Sequence, residues 1–192
     1  LEHTGQFAID NGIRLSFHPG QFVCLASQNP KVLDNATRDL EAHGTIMDWM
    51  LQPRNHNAKI NIHIGGAYGD KPDTAKRFLR VAERLTAAVY DRFTVENDDR
   101  LNLYTTQELY DMVYSESGIP IVFDYHHHRF CTGGQTEEEA LKLAASTWPD
   151  GITPVVHLSE SKAKEYNDEK IRPQAPSDWI RNPVNTYGQS FD

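Results

Sequence analysis

Several features are missing from this 192-residue chain, and each absence argues against a class of protein. No run of about 18 apolar residues occurs, so the sequence predicts no transmembrane helix, and no signal peptide opens the chain. Only Cys24 and Cys131 are present, so we expect no disulfide framework and a reducing cytosol. Acidic residues outnumber basic ones, giving a net charge of −8, which argues mildly against a nonspecific nucleic-acid binder.

Several common catalytic motifs are missing as well. The run GGAYGD at residues 65–70 lacks the Gly-Lys-Ser/Thr ending of a P-loop, and no Gly-x-Gly-x-x-Gly opens a helix. Ser159 does not stand in a nucleophile elbow. Neither cysteine has neighbours that would activate a thiolate, so both are expected to pack in the structure. The chemistry must therefore come from other residues.

The chain alternates strand-like and helix-like segments. Helices are predicted over 35–51, from Pro72 along an apolar stripe that reaches Val89, and behind the capping boxes Thr105–Glu108 and Thr136–Glu139. The strand-like segments are short apolar runs that lie at residues 13–19, 59–66, 92–98, 119–124 and 153–159.

Five βα units in succession predict an α/β fold, and their steady repetition favours a TIM (β/α)₈ barrel over a doubly wound sheet. Five units cannot close an eight-stranded barrel, and the chain runs from Leu1 to a strand-like Asp192. We therefore expect residues 1–192 to be one partial TIM-barrel domain, truncated at both ends. Residues 161–192 are predicted to be a polar, loop-rich tail that holds a short helix around 177–181 and leads toward a missing last strand.

A candidate metal ligand stands at the end of every predicted strand. TIM barrels place their chemistry at this end of the strands. Any one such residue is more often a helix cap or a loop hydrogen-bonder, but five in five strands favour a metal centre. In chain order these residues are His18, His63, Glu96, Asp124 and His157.

The donor types narrow the choice of metal. Mixed imidazole and carboxylate donors suit Zn²⁺ or Mn²⁺, and Glu96, central among the donors, suggests a bridged cluster. Two or three divalent metals set close together can clamp a phosphodiester and activate water for in-line attack. Mn²⁺ is the preferred prediction, with Zn²⁺ and Mg²⁺ as alternatives.

Motifs at these positions resemble the UV damage endonucleases, in family order and over nearly the whole chain. They are HPGQFV (18–23), INIHIGGAYGDK (60–71), VENDD (95–99), FDYHHH (123–128) and VHLSES (156–161). The resemblance implies a metal-dependent TIM barrel, related to endonuclease IV, that cleaves DNA on the 5′ side of UV photoproducts. It also implies damaged double-stranded DNA as the partner, with no membrane and no obligate protein partner evident. The expected location is cytoplasmic, and nucleoid-associated if the source is prokaryotic or viral.

The resemblance further implies which residues hold the metals of the catalytic centre. His18, His63 and Glu96 would hold one metal. Glu96 would bridge to a second metal, which Asp124 and His157 would also hold.

A third metal is implied by the family spacing of Asp124 and His127, which makes His127 its ligand. His126 and His128 are not predicted to bind metal. They are expected to contact the metal ligands from behind, to face DNA or to be solvated. The histidine that the family pairs with this ligand is absent here, since its expected position falls near Pro176, and a lysine expected two residues before His157 is replaced by Val155. A late glutamate ligand would follow Asp192. These departures leave open that the chain is a non-catalytic fragment.

DNA contacts are also implied by the resemblance. Gln21 and Phe22 match a Gln–Tyr pair that the family inserts at the lesion, and stacking survives the change to Phe. Tyr68 and Lys71 lie in a family-like loop, where Lys71 would contact a phosphate.

Two other activities use similar barrels. A sugar isomerase or epimerase of the xylose isomerase-like barrels also uses a His/Glu/Asp rim, and the acidic net charge fits it better. Cleavage at abasic sites, as in endonuclease IV, shares the metal chemistry, and only substrate preference separates it from cleavage at photoproducts.

Overall fold

The computed structural model describes all 192 residues, which form helices around a short parallel sheet. The helices are α1 (Glu2–Asp10), α2 (Pro30–Trp49), α3 (Lys71–Ala82), α4 (Ala87–Tyr90), α5 (Thr106–Leu109), α6 (Ser115–Ser117), α7 (Tyr125–His128), α8 (Glu137–Ala145) and α9 (Lys162–Tyr166). A 3₁₀ turn covers His56–Ala58, and a π-helical turn, Tyr110–Tyr114, joins α5 to α6. The strands are β1 (Ile60–Ile62), β2 (Phe93–Glu96), β3 (Ile121–Asp124) and β4 (Val156–His157).

The four strands pair in the order β1-β2-β3-β4, and every pairing is parallel. Neighbouring parallel strands need a long crossover connection, usually a helix. Helices α3 and α4 connect β1 to β2, α5 and α6 connect β2 to β3, and α7 and α8 connect β3 to β4. Beyond β4, the Val156 N–H donates to the Asp192 carbonyl at 3.0 Å, and the Asp192 N–H donates to the Pro154 carbonyl at 2.9 Å. The predicted α/β fold is confirmed, as a half-barrel of parallel strands.

Several predicted elements differ in the structure. The run 13–19 contributes a single parallel bridge, Phe17 to Ile60, because Phe17 alone exchanges ladder hydrogen bonds with its neighbour. The helix predicted around 177–181 is absent, since the Arg181 and Asn182 N–H groups donate to the Glu160 carboxylate and not to helical carbonyls. The predicted stripe to Val89 is divided between α3 and α4. Helices α1 and α9 were not predicted.

Other sequence predictions hold. Both capping boxes are present, with the Thr105 and Thr136 side chains accepting from the N–H three residues on. Helix α3 begins at Lys71, with Asp70 as its N-cap and Pro72 in its first turn. None of the helices combines the length and apolar content needed to cross a lipid bilayer.

The apolar core lies between the strands and the helices that follow them. One cluster of 26 buried residues includes Ile60 and Ile62 of β1, Phe93 and Val95 of β2, and Phe123 of β3. Alternate residues of a strand point to opposite faces of the sheet. The remaining residues of these strands therefore face the barrel interior.

Several strand residues that face the barrel interior are polar, and the strand register determines how far along the barrel axis each one lies. Asn61 aligns with Thr94, and both are fully buried. Glu96 aligns with Val122, while Asp124 aligns with His157 two residues further along its strand. The stagger between the tilted strands of a barrel brings residues from different registers to one rim.

Candidate metal centre

The carboxylate of Glu96 is the point on which four imidazoles converge. It is 1% exposed, at the last position of β2. Its Oε2 lies 3.1 Å from His18 Nε2 and 2.8 Å from His157 Nδ1. Its Oε1 lies 3.8 Å from His63 Nε2 and 3.4 Å from His127 Nδ1. Two donor sets therefore share one carboxylate: the His18–His157 group and the His63–His127 group.

This grouping differs from the one that the resemblance implies, in which His18 and His63 share a metal. In the structure each group takes one histidine that presents Nε2 and one that presents Nδ1 to Glu96. The His18 Nδ1 lies 3.1 Å from the Pro19 carbonyl, which leaves Nε2 free of the backbone. The ligand assignment of each metal stays a prediction.

Asp124 stands beside the cluster and belongs to neither donor set. Its Oδ1 accepts from the His127 N–H at 2.8 Å, which makes it the N-cap of α7. Its Oδ2 lies 3.8 Å from His127 Nδ1, close enough to join the His63–His127 group after a small side-chain rotation. Asn97 fixes the backbone here, donating to the Asp124 carbonyl and accepting from the Asp124 N–H.

Two buried residues hold Glu96 in place, and sequence reasoning missed both. Asn61 Nδ2 donates to Glu96 Oε2, and Thr94 Oγ1 donates to Asn61 Oδ1 at 2.9 Å. The signal was present in the sequence, because Asn61 interrupts an apolar strand two residues before His63. A buried amide in such a position must find hydrogen-bond partners.

The electrostatics of the centre are those of a buried anion among cations. Burial alone would raise the pKa of Glu96, but hydrogen bonds from His157 and His18 and the nearby histidine charges hold it well below its usual value. Burial opposes protonation of His63, yet Asp98 and Glu96 together raise its pKa to about 9. Burial raises the pKa of Asp124. Burial also lowers the pKa of Lys59, whose Nζ lies 3.4 Å from His157 Nε2, to about 8.

These residues fit divalent cations. A fully buried carboxylate is costly unless positive charge compensates it, and here His18 and His63, whose pKa values are raised beside Glu96, supply that charge. Metal ions compete with those protons for the same nitrogen atoms. Imidazole and carboxylate donors together are the set that Mn²⁺ and Zn²⁺ accept. Each group offers three donor atoms within 4.8 Å of one another, which a single ion can bridge.

A cleft of about 670 Å³ opens beside the cluster, and His63 and His127 form part of its wall. Gln21 lines its rim, and the neighbouring Phe22 is 81% exposed. Tyr68 lines another side, with its ring 5.4 Å from the Arg77 guanidinium. Three of the four residues predicted to contact DNA, Gln21, Phe22 and Tyr68, thus lie on or beside one cleft.

The remaining predicted residues are engaged elsewhere. The Lys71 Nζ donates to both carboxylate oxygens of Glu108, at 2.8 and 2.9 Å. His126 and His128 are 1% and 3% exposed, so the expectation of solvated histidines is wrong for both. They point away from solvent because α7 turns them inward: His126 lies 3.2 Å from the Gln174 carbonyl, and His128 packs on Phe123.

Comparison with known proteins decides the family. A sequence profile described as UV-endonuclease UvdE matches residues 1–178. The chain belongs to this family. The UV DNA damage endonuclease of Bacillus cereus (strain Q1) is 38% identical over 162 residues, which cover 84% of this chain and 50% of that protein. The chain spans about half the length of the curated relatives it matches.

Solved structures agree with this assignment. The crystal structure of SacUVDE matches with a TM-score of 0.82 and 28% identity, over 94% of this chain and 57% of that chain. Endonuclease IV from Thermus thermophilus matches with a TM-score of 0.59 and 16% identity, over 83% and 57% of the two chains. D-Psicose 3-epimerase from Clostridium cellulolyticum H10 matches with a TM-score of 0.58 and 20% identity, over 82% and 56%. The last two likenesses show the fold alone, which is that of a TIM-type barrel.

Proposed function

We propose that this chain carries the catalytic centre of a DNA repair endonuclease that hydrolyses the phosphodiester on the 5′ side of UV photoproducts in duplex DNA. The observation that carries the proposal is the convergence of four histidines on the buried Glu96, at the strand ends of a UvdE-family barrel. The damaged duplex is the substrate, and a cytoplasmic location, nucleoid-associated in a prokaryote or virus, goes with that role.

Two or three divalent cations, with Mn²⁺ preferred, would be held by Glu96 with the ligands His18, His63, Asp124, His127 and His157. Bound there, they would supply Lewis acidity toward the phosphate and a hydroxide nucleophile near neutral pH. Glu96 has to stay ionised to serve both groups, and its lowered pKa meets that requirement. Asn61 and Thr94 keep its carboxylate in one orientation, so little reorganisation is needed when substrate arrives.

Lesion recognition is assigned to the cleft. Phe22, exposed at the rim, would insert between bases, and Gln21 would hydrogen-bond to the bases it separates. A photoproduct weakens stacking, so a damaged step costs less to open than an intact one. Tyr68 would stack against the strand on another side of the cleft. Lys71 would contact a phosphate only by exchanging its ion pair with Glu108.

The test is nicking of UV-irradiated plasmid by the full chain in the presence of Mn²⁺, with unirradiated plasmid in parallel. We expect nicks in the irradiated plasmid alone, and cleavage on the 5′ side when an oligonucleotide with one photoproduct is mapped. Phe22→Ala should weaken binding to the lesion duplex by about 10- to 100-fold, the equivalent of about 1–3 kcal/mol for one stacked base. Trp49→Ala, which changes an aromatic of α2 that is 60% exposed and does not line the cleft, is the matched control.

A folded, Mn²⁺-loaded chain that leaves irradiated plasmid intact would contradict the proposal, as would equal nicking of both plasmids. Cleavage confined to abasic sites would redirect it to the activity of endonuclease IV. Turnover of a ketose without any nicking would favour an epimerase.

A further inference from the structure

The buried carboxylate of Asp98 lies directly behind one of the histidines of the metal centre. It follows β2, is 5% exposed, and places its Oδ1 3.2 Å from His63 Nδ1, at ion-pair distance. The His63 Nδ1 is buried and makes no aligned hydrogen bond, so Asp98 is the acceptor that a small ring rotation would bring into line. The opposite nitrogen of the same ring, Nε2, faces Glu96. His63 thus stands between two carboxylates, one on each side of the imidazole.

The second carboxylate oxygen of Asp98 also has a hydrogen-bond partner. Its Oδ2 accepts from the Tyr104 N–H at 3.2 Å, and the Asp98 N–H donates to the Tyr104 carbonyl at 2.9 Å. This pair of contacts closes the loop between β2 and α5, and rotation of the side chain would break the hydrogen bond to the Tyr104 N–H. Asp98 presents a fixed acceptor to His63.

A fixed acceptor at Nδ1 determines the tautomer of a neutral histidine. The proton is retained on Nδ1, toward Asp98, and the lone pair remains on Nε2, toward Glu96. Outer carboxylates that hold a ligand histidine in this way typically contribute about 10- to 100-fold to metal affinity. We propose that Asp98 is a positioning residue that orients His63 and fixes its tautomer for metal binding in the His63–His127 group. The proposal rests on the proposed metal-dependent function.

The structure makes an unusual prediction for Asp98→Asn. The Tyr104 N–H requires an oxygen in front of it, so the new amide must place its oxygen there and its NH₂ group toward His63. That NH₂ donates to Nδ1, which moves the ring proton to Nε2, the nitrogen that has to bind metal. A catalytic triad in which Asn replaces Asp fails through the same wrong tautomer.

The matched control is Asp99→Asn. It removes the same charge one residue further on, but the ion pair of Asp99 is with Arg100, at 3.8 Å, whereas that of His63 is with Asp98. The His18–His157 group serves as an internal control, because none of its histidines contacts Asp98.

The experiment is Mn²⁺ titration of the full chain by calorimetry, together with ¹⁵N-histidine NMR of the metal-free chain at about pH 10, above the raised pKa of His63. We expect Asp98→Asn to weaken one Mn²⁺ site by about 10- to 100-fold and leave the other unchanged. In the NMR spectra, the His63 proton should move from Nδ1 to Nε2. Asp99→Asn should change neither.

Three outcomes would overturn the inference. They are an Asp98→Asn chain that binds Mn²⁺ no more weakly than Asp99→Asn, a His63 proton that stays on Nδ1, and equal weakening of both sites. A wild-type chain that binds no Mn²⁺ would contradict the proposed metal centre itself. Good Mn²⁺ binding without DNA cleavage would contradict the endonuclease proposal and leave the role of Asp98 intact.

Discussion

The two donor groups share Glu96 but differ in what stands behind their histidines. In the His63–His127 group, Asp98 lies behind His63, and His127 Nδ1 lies 3.0 Å from the Asn97 carbonyl and 3.8 Å from the Asp124 carboxylate. In the His18–His157 group, a neutral carbonyl lies behind His18, and the Lys59 ammonium lies beside His157. One group therefore has extra negative charge around it, and the other has a buried positive charge.

This difference sets an order of affinity. Cations are attracted by the additional carboxylates and repelled by Lys59, and both effects are strengthened by burial. His18 is also 41% exposed on its side chain, against 26% for His63, so water screens its interactions more. We expect the His63–His127 group to bind the first divalent ion and the His18–His157 group to bind the second more weakly.

The largest change should come from Glu96→Gln, which removes the ligand common to both groups. Mn²⁺ affinity should fall by more than about 100-fold at both sites, beyond the roughly 10- to 100-fold typical of losing an outer partner. Cleavage of irradiated plasmid should disappear. The volume of the side chain is unchanged, and Asn61 still has an oxygen to donate to, so circular dichroism should show a folded chain. Retention of either Mn²⁺ site would contradict the shared-carboxylate arrangement.

Much of this centre could be predicted from the sequence, because the candidate ligands recur at the ends of successive strand-like runs. His63, Glu96 and Asp124 each follow an apolar run, and the ends of parallel strands meet at one edge of a barrel. Sequence alone could not give the grouping, because it depends on the stagger between strands and on which ring nitrogen faces inward.

The sequence could mark Asn61 as a buried polar residue, but it could not show which groups Asn61 and Asp98 contact, for a related reason. Asn61 and Asp98 act through partners that lie 35 residues away along the chain in both cases, and only the pairing of β1 with β2 brings them together. The prediction of a strand at 13–19 was wrong because alternation of apolar residues does not show whether a neighbouring segment offers hydrogen-bond partners along the whole run. In the structure only Phe17 pairs with a neighbouring residue, Ile60.

The second prediction separates the groups. His127→Ala should remove the tighter Mn²⁺ site, and His18→Ala should remove the weaker one, so that each variant binds one ion fewer than wild type. The ion that remains in His18→Ala should bind more tightly than the one that remains in His127→Ala. Elemental analysis measures the number of bound ions, and Mn²⁺ titration measures the affinity of the ion that remains. The surface variant His3→Ala is the control. Identical residual affinities would show that Asp98, Asp124 and Lys59 do not distinguish the groups.

The smallest effect should appear in the pH dependence of the metal-free chain. The folded pKa of His63, about 9, lies above its unfolded value of 6.5. Its contribution to stability is therefore fully present below pH 6.5 and declines as pH rises toward 9. The pKa of His18 is also raised, by its hydrogen bond to Glu96, and this adds in the same direction.

Lys59 works in the opposite direction, which limits the useful range. Burial lowers its pKa from 10.5 to about 8, so stability is regained as pH rises above 8. Between pH 6.5 and 8 we expect a loss on the order of 1 kcal/mol, or about 2–4 °C in Tm for a chain of this size. Thermal unfolding in EDTA measures it, and His63→Asn should flatten the curve. An unchanged slope in that variant would mean that the proton is held by the His18–His157 group, and the contrast between the two groups would be reversed.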